Sequence, residues 1–235
     1  MIHFITYGDN KYVIPRERLC KQADSTGWFD SVTCYTQDTL SHVFKNTFVD
    51  VLKQPRGGGY WIWKPYIIRR HMQLINDYDT IVYCDSGCTI NPSGEHRFNE
   101  YIDMLKTKDM LSFQTPYPER CWTTKEIFNH FKANKQIQTS GQIIATVIIF
   151  KKTSNTTNMI NIWNKTIYNN PVLFTDHYNT NQDSPEFIDN RHDQSIFSVV
   201  RKQHDTYILP DETWHEPFRS VESLKYPFWS TKIRQ

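Results

Sequence analysis

Ile81-Val82-Tyr83-Cys84 is an apolar run without polar alternation, and it stops abruptly at Asp85-Ser86-Gly87. Four β-inclined residues in a row predict a strand buried on both faces, as in a parallel sheet. A carboxylate at the C-terminal end of such a strand stands where open α/β sheets bind their ligands. The same three residues also fit an ordinary Asp-Ser-Gly turn. The remaining chain has to decide between the two.

The remaining chain keeps alternating. Further strands are expected over 2–7, 29–35, 110–114, 143–150 and 206–209, the 143–150 run being the most apolar. Helical spacing is expected over 15–22, 39–53, 66–74, 95–105 and 156–168. Phe98, Tyr101, Ile102 and Leu105 share one helical face, as do Met159, Ile160, Trp163 and Ile167. Thr123-Thr124-Lys125-Glu126 has capping-box chemistry, and Arg191-His192-Asp193-Gln194 starts a last helix. Strand-helix alternation predicts an α/β fold with a mostly parallel central sheet flanked by helices. No Pro/Gly/Ser-rich linker divides the 235 residues. One domain over 1–235 is therefore expected, with the aromatic tail 210–235 packed on it. The polar loop 176–190 has no regular pattern and is expected to be mobile.

Composition narrows the function classes. A net charge of +2, with no basic tract, gives no ground for a nucleic-acid partner. No apolar run approaches the ~20 residues of a membrane-spanning helix, and the N-terminus lacks the pattern of a signal peptide. The five cysteines contain no CxxC pair; Cys84 and Cys88 straddle Asp85 without a second pair to complete a zinc site. All five are expected to be reduced and mostly buried, which implies a cytoplasmic setting. The seven tryptophans suit a core, and some suit stacking against flat ligands.

Gln54-Pro55-Arg56-Gly57-Gly58-Gly59 is the strongest break in the chain. No Gly-Lys-Ser/Thr follows, so it is not a P-loop. Tyr60-Trp61-Ile62-Trp63-Lys64-Pro65 leads into a helix with proline in its first turn. A lysine at a helix N-terminus is a natural anion site; a solvated Lys64 beside tryptophans anchored in the core fits as well.

Taken together, five stretches resemble one family. They are the first strand ending Thr6-Tyr7-Gly8, GGGYWIWKPYII at 57–68, IVYCDSGC at 81–88, the apolar strand led by Gly141-Gln142, and Arg191-His192-Asp193-Gln194-Ser195. In that order they look like a small nucleotide-sugar glycosyltransferase of the GT-A (Rossmann-like) fold, of the type found in capsular-polysaccharide synthesis and in large DNA viruses. The resemblance covers residues 2 to about 205. It implies transfer of a hexosyl or deoxyhexosyl group from a nucleotide-sugar donor, UDP-linked, to a glycan or glycoprotein acceptor, in the cytoplasm of a bacterium or a virus-infected cell. Thr6, Tyr7 and Gly8 would hold the nucleoside. Asp85, with Ser86 and Gly87, matches a D-x-D motif that holds Mn2+ or Mg2+ against the diphosphate, but Gly87 replaces the second Asp. A ligand would then shift to Asp193 or a histidine. Lys64 would add charge to the departing diphosphate, and Gln142 and Asp193 would face the donor sugar or acceptor. Asp193 also fits a helix N-cap. Glu119, Trp122, His177 and Glu216 are acceptor candidates. A nucleotide-sugar-binding or carbohydrate-binding protein without activity is the alternative. Turnover of UDP-sugars separates it from an enzyme.

Overall fold

The computed structural model describes residues 1–234. The Ile81–Cys84 run lies in a strand, Thr80–Cys84 (β3), with every residue buried. Its neighbours are Ile2–Tyr7 (β1) and, beyond that, Ser31–Tyr35 (β2), both parallel to it. On the other side Val147–Lys151 (β7) runs antiparallel. Met110–Pro118 (β5) follows; it also carries Gly141–Ile143 (β6) and Tyr207–Pro210 (β8). Thus β1, β2, β3, β5 and β8 point one way, and β6 and β7 the other. Thr89–Ile90 (β4) pairs separately with Phe228–Trp229 (β9) of the tail.

Burial on both faces follows from the two-residue period of a strand. Ile5, Tyr7, Ile81, Tyr83, Ile148 and Phe150 enter one apolar cluster. Phe4, Val82, Cys84, Val147 and Ile149 enter the other. The first cluster is covered by the helices Trp63–Met72, Ser154–Asn169 and Asp193–Lys202, with Trp163 stacked on Phe197 at 4.0 Å. The second is covered by Val13–Thr26 and Glu95–Met104 through Leu19, Ala23, Phe98 and Tyr101.

Four local expectations change. The helix expected over 39–53 breaks at Phe48, whose non-helical backbone separates His42–Thr47 from Val49–Leu52. Phe44 and Phe48 both reach the core, while Val43 is exposed. The single strand expected over 143–150 is two strands, interrupted at 144–146, where the Ile144 carbonyl accepts from Arg201 and Ala145 meets Lys64 and Gln194. The capping box at Thr123–Glu126 does not form; Gln182 instead accepts the Lys125 N–H at 2.7 Å and donates to Glu126 at 2.9 Å. The cysteines are not all reduced. Cys20 and Cys34 form a disulfide that ties the Val13–Thr26 helix to β2, leaving Cys84, Cys88 and Cys121 free. The argument for a reducing compartment therefore loses its basis. No described helix is long and apolar enough to cross a membrane.

Candidate active site

The C-terminal end of β3 delivers Asp85 to the floor of a cavity of about 400 Å³. Lys64 comes from the first turn of the Trp63–Met72 helix and is only 2% exposed. Its Nζ lies 2.7 Å from Asp193 Oδ2 and 3.1 Å from Asp85 Oδ1, and donates to the Ala145 carbonyl at 3.2 Å. Burial alone would favour loss of its proton, but Asp193 and then Asp85 outweigh that and hold its pKa above the ordinary lysine value. Tyr83, one turn of the pleat back, donates its hydroxyl to Asp85 Oδ1 at 2.6 Å.

Asp193 is the first residue of its helix and is 3% exposed. The cap position belongs to His192, whose side chain makes no cap hydrogen bond. The Asp193 carboxylate meets Lys64 and also the Gln194 N–H of its own first turn. Burial pushes its pKa up to about 6, against the pull of Lys64 and with a further push from Asp85. Although close to Lys64, Oδ2 has no aligned hydrogen-bond donor among the described residues. Two acids share one buried base, so the floor carries a net negative charge above that pH.

One wall is the glycine break. Residues 57–61 all have positive φ, from 54° to 95°, which makes a turn of left-handed helix. Three glycines adopt it freely, whereas Tyr60 and Trp61 each meet a cost of about 1–2 kcal/mol. Surrounding contacts hold the turn. Trp63 donates to the Gly57 carbonyl at 3.0 Å and stacks on Tyr7 at 3.8 Å. Tyr60 stacks on His192 at 5.0 Å. Arg56 pairs with Asp176 at 3.0 Å and with Asp189, and His192 Nε2 meets Asp176 at 2.9 Å. Both ends of the 176–190 loop are thus tied to the glycine turn, and Lys125–Asp183 and Arg120–Glu186 pairs hold its middle.

The structure brings Tyr7, Gly8, Lys64, Asp85, Ser86, Gly87 and Asp193 to the cavity. Two expected donor contacts are corrected. Thr6 is fully buried and its hydroxyl does not line the cavity, because alternation along β1 turns it into the interior. Gln142 is also fully buried; its amide donates to Glu119 at 3.2 Å and Thr123 at 3.1 Å. Its Oε1 accepts from Gln194, which does line the cavity, at 2.6 Å. Gln142 therefore positions Gln194 from behind. Lys64 is not a spare cation, since both carboxylates neutralise it. Glu119 is inaccessible, held by Lys202 at 2.9 Å, Thr123 at 2.7 Å and Ser198. His177 and Glu216 do not line the cavity, and Trp122 lies beneath Arg191, 3.7 Å from ring centroid to guanidinium. Sequence reasoning missed Gln194, Arg191 and the tail residues Ser230 and 232–234, which complete the lining.

A divalent cation held by protein side chains alone does not fit these residues. Such ions want six or more oxygen ligands. Asp85 Oδ1 is already taken by Tyr83 and Lys64, Asp193 is turned to the same ammonium, and His192 is held by Asp176. Among the described residues no three His, Cys, Asp or Glu side chains are grouped to hold a metal ion.

No family model matches the chain, and no curated protein matches it in sequence. Solved structures do. A glycosyltransferase involved in glycosylation of the major capsid protein of PBCV-1 is similar over 97% of this chain and 92% of its own, with 10% identity and a TM-score of 0.55. The bifunctional glycosyltransferase WbbM is similar over 90% of this chain and 39% of its own, with 12% identity and a TM-score of 0.50. At such identities the likeness is one of fold. The chain has the α/β fold of the GT-A glycosyltransferases.

Proposed function

We propose that the protein is a glycosyltransferase that moves a sugar from a nucleoside diphosphate, UDP in the first instance, to a hydroxyl of a glycan or glycoprotein. One observation carries the reading: Asp85 and Asp193, distant in sequence, converge on the buried Lys64 at the floor of a cavity outside the carboxyl end of β3. A structural ion pair needs one acid; the second, with its raised pKa, is an acid–base group facing a ligand space. The aromatic wall of Tyr7, Tyr12 and Trp61 supplies flat surfaces for a base or sugar. The fold shared with glycosyltransferases agrees.

In this reading Tyr7, Gly8 and Asp9 flank the nucleoside, and Asp193 meets the donor sugar, oriented by Lys64 and by the rigid helix behind it. The bond from the anomeric carbon to the diphosphate breaks, with its electron pair leaving on the diphosphate. The acceptor oxygen bonds to that carbon, and its proton passes to a base; ionised Asp193 has the pKa for that task near neutral pH. The test is release of UDP from a panel of UDP-sugars, with and without simple sugar acceptors, by wild type and Asp193→Asn. UDP release by wild type that the variant lacks supports the reading. A wild-type protein that turns over no nucleotide sugar, yet binds one, defeats it in favour of a binding protein.

A further inference from the structure

The position of the missing second carboxylate is filled by the chain's own C-terminal segment. A Cβ on Gly87 would lie 3.2 Å from the Ile233 carbonyl oxygen and 3.3 Å from Lys232 Cα. The segment is fastened there. Ile233 N–H donates to the Gly87 carbonyl at 3.0 Å, and the Thr231 hydroxyl donates to the same oxygen at 2.8 Å. Thr231 and Thr89 hydroxyls meet at 2.9 Å, and β9 pairs with β4 just before. Lys232 and Arg234, two residues apart, are exposed and line the cavity with Ser86 and Gly87. Arg191 lines it too.

The cavity therefore has two kinds of cation. Arg56 and Lys64 are spent on two carboxylates each. Among the described residues no carboxylate forms a salt bridge with Arg191, Lys232 or Arg234, and Lys232 rests over Trp214 with its ammonium 4.5 Å from the ring centroid. Three cations without a carboxylate partner lining one cavity, beside a floor that offers no metal set, describe a site for a multiply charged anion.

We propose that this cavity holds the donor's diphosphate with protein cations, Lys232 and Arg234 of the C-terminal segment together with Arg191, in place of a divalent metal ion. The proposal rests on the glycosyltransferase reading and states how the leaving group is met. A lysine and two guanidiniums supply charge and directed N–H donors to phosphate oxygens as they gain the electron pair of the broken bond. The segment that excludes the second acid from Gly87 brings the replacement charge with it.

Calorimetric titration of UDP, GDP and ADP into EDTA-treated, metal-exchanged protein tests this, repeated in millimolar MnCl2. At least one nucleoside diphosphate is expected to bind without metal, within about threefold of its affinity in MnCl2. Lys232→Ala and Arg234→Ala should each weaken metal-free binding about tenfold, the loss of one charged hydrogen bond. Both side chains are exposed, so the melting temperature serves as the folding control. Binding that appears only with MnCl2 overturns the proposal and leaves the glycosyltransferase reading standing. Wild-type affinity in the Lys232→Ala/Arg234→Ala double variant overturns the assignment to the tail. No binding in either condition overturns both readings.

Discussion

The helix Asp193–Lys202 carries a buried ion pair at each end, and the two are built to opposite plans. At its C-terminal end Lys202 meets Glu119, one base to one acid. Glu119 accepts from Lys202, Ser198, Thr123 and Gln142, so both of its oxygens are filled and nothing opens onto solvent. At its N-terminal end one base serves two acids, and both acids line a cavity. The helix dipole favours both arrangements, acid first and base last. Both bases are buried, but the open end carries one acid more. What differs besides is closure: the Glu119 cluster is sealed by its own donors, and the Lys64 cluster lines a cavity through Asp85 and Asp193. Four measurements can break or sharpen that contrast.

The largest effect is expected at the closed end. Glu119→Ala leaves the Lys202 ammonium buried with no counter-charge and should cost about 3–5 kcal/mol in urea unfolding. A loss under about 1 kcal/mol would mean that the cluster is not the structural one.

At the open end the loss should fall on turnover instead. Asp193→Asn keeps the volume and removes the charge. Sugar transfer should drop on the order of 10²–10³-fold, as for other groups that stabilise a transition state, while the melting temperature stays within a few degrees. Asp85→Asn should fall in the same range. A variant at 193 that transfers at the wild-type rate reduces Asp193 to a partner for Lys64.

The third effect is smaller and depends on pH. The Asp193 pKa is raised to about 6, so the ionised form dominates above that value and the proton returns below it. If the carboxylate is the working form, the rate holds at pH 7–8 and falls as pH drops through about 6, approaching tenfold per unit below. A pH–rate profile flat from 5 to 8 contradicts the assignment.

The smallest effect belongs to the residue that touches both ends. Gln142 donates to Glu119 and accepts from Gln194. Gln142→Leu should lower turnover by about threefold to tenfold through a loosened Gln194 and cost about 1–3 kcal/mol from unpaired buried groups. A change confined to stability would show that Gln194 does not need its support.

The contrast also explains what could be read in advance. Asp85 was legible because a strand buried on both faces ends at it, and such an end has one position in an α/β sheet. Asp193 was legible as a carboxylate opening an apolar helix, and Lys64 as a cation at a helix start. Their meeting was not, since nothing local says that the three side chains share one point. Gln142 stood in for Gln194 because the ladder breaks after Ile143, and a strand expected to continue hides which amide faces the cavity. Glu119 is an acceptor candidate in the sequence; only the fold shows its four donors. The tail was read as wrapping because the reason for its path is Gly87, far away in sequence. The pairing of Cys20 with Cys34 has the same cause, a helix and a strand brought together by tertiary packing.

The short break between β6 and β7 has a consequence for how such a chain can change over time. Ile144 and Ile143 lend carbonyls to Arg201, Ala145 lends its carbonyl to Lys64 and its N–H to Gln194, and Thr146 lends its carbonyl to the Asp85 N–H. These are main-chain atoms, which every amino acid except proline supplies in full. The side chain at 146 can therefore drift while the scaffold of the charged floor keeps its shape, whereas a proline at 145 or a one-residue insertion would dismantle it. A pocket written partly in backbone is tolerant of spelling and intolerant of length.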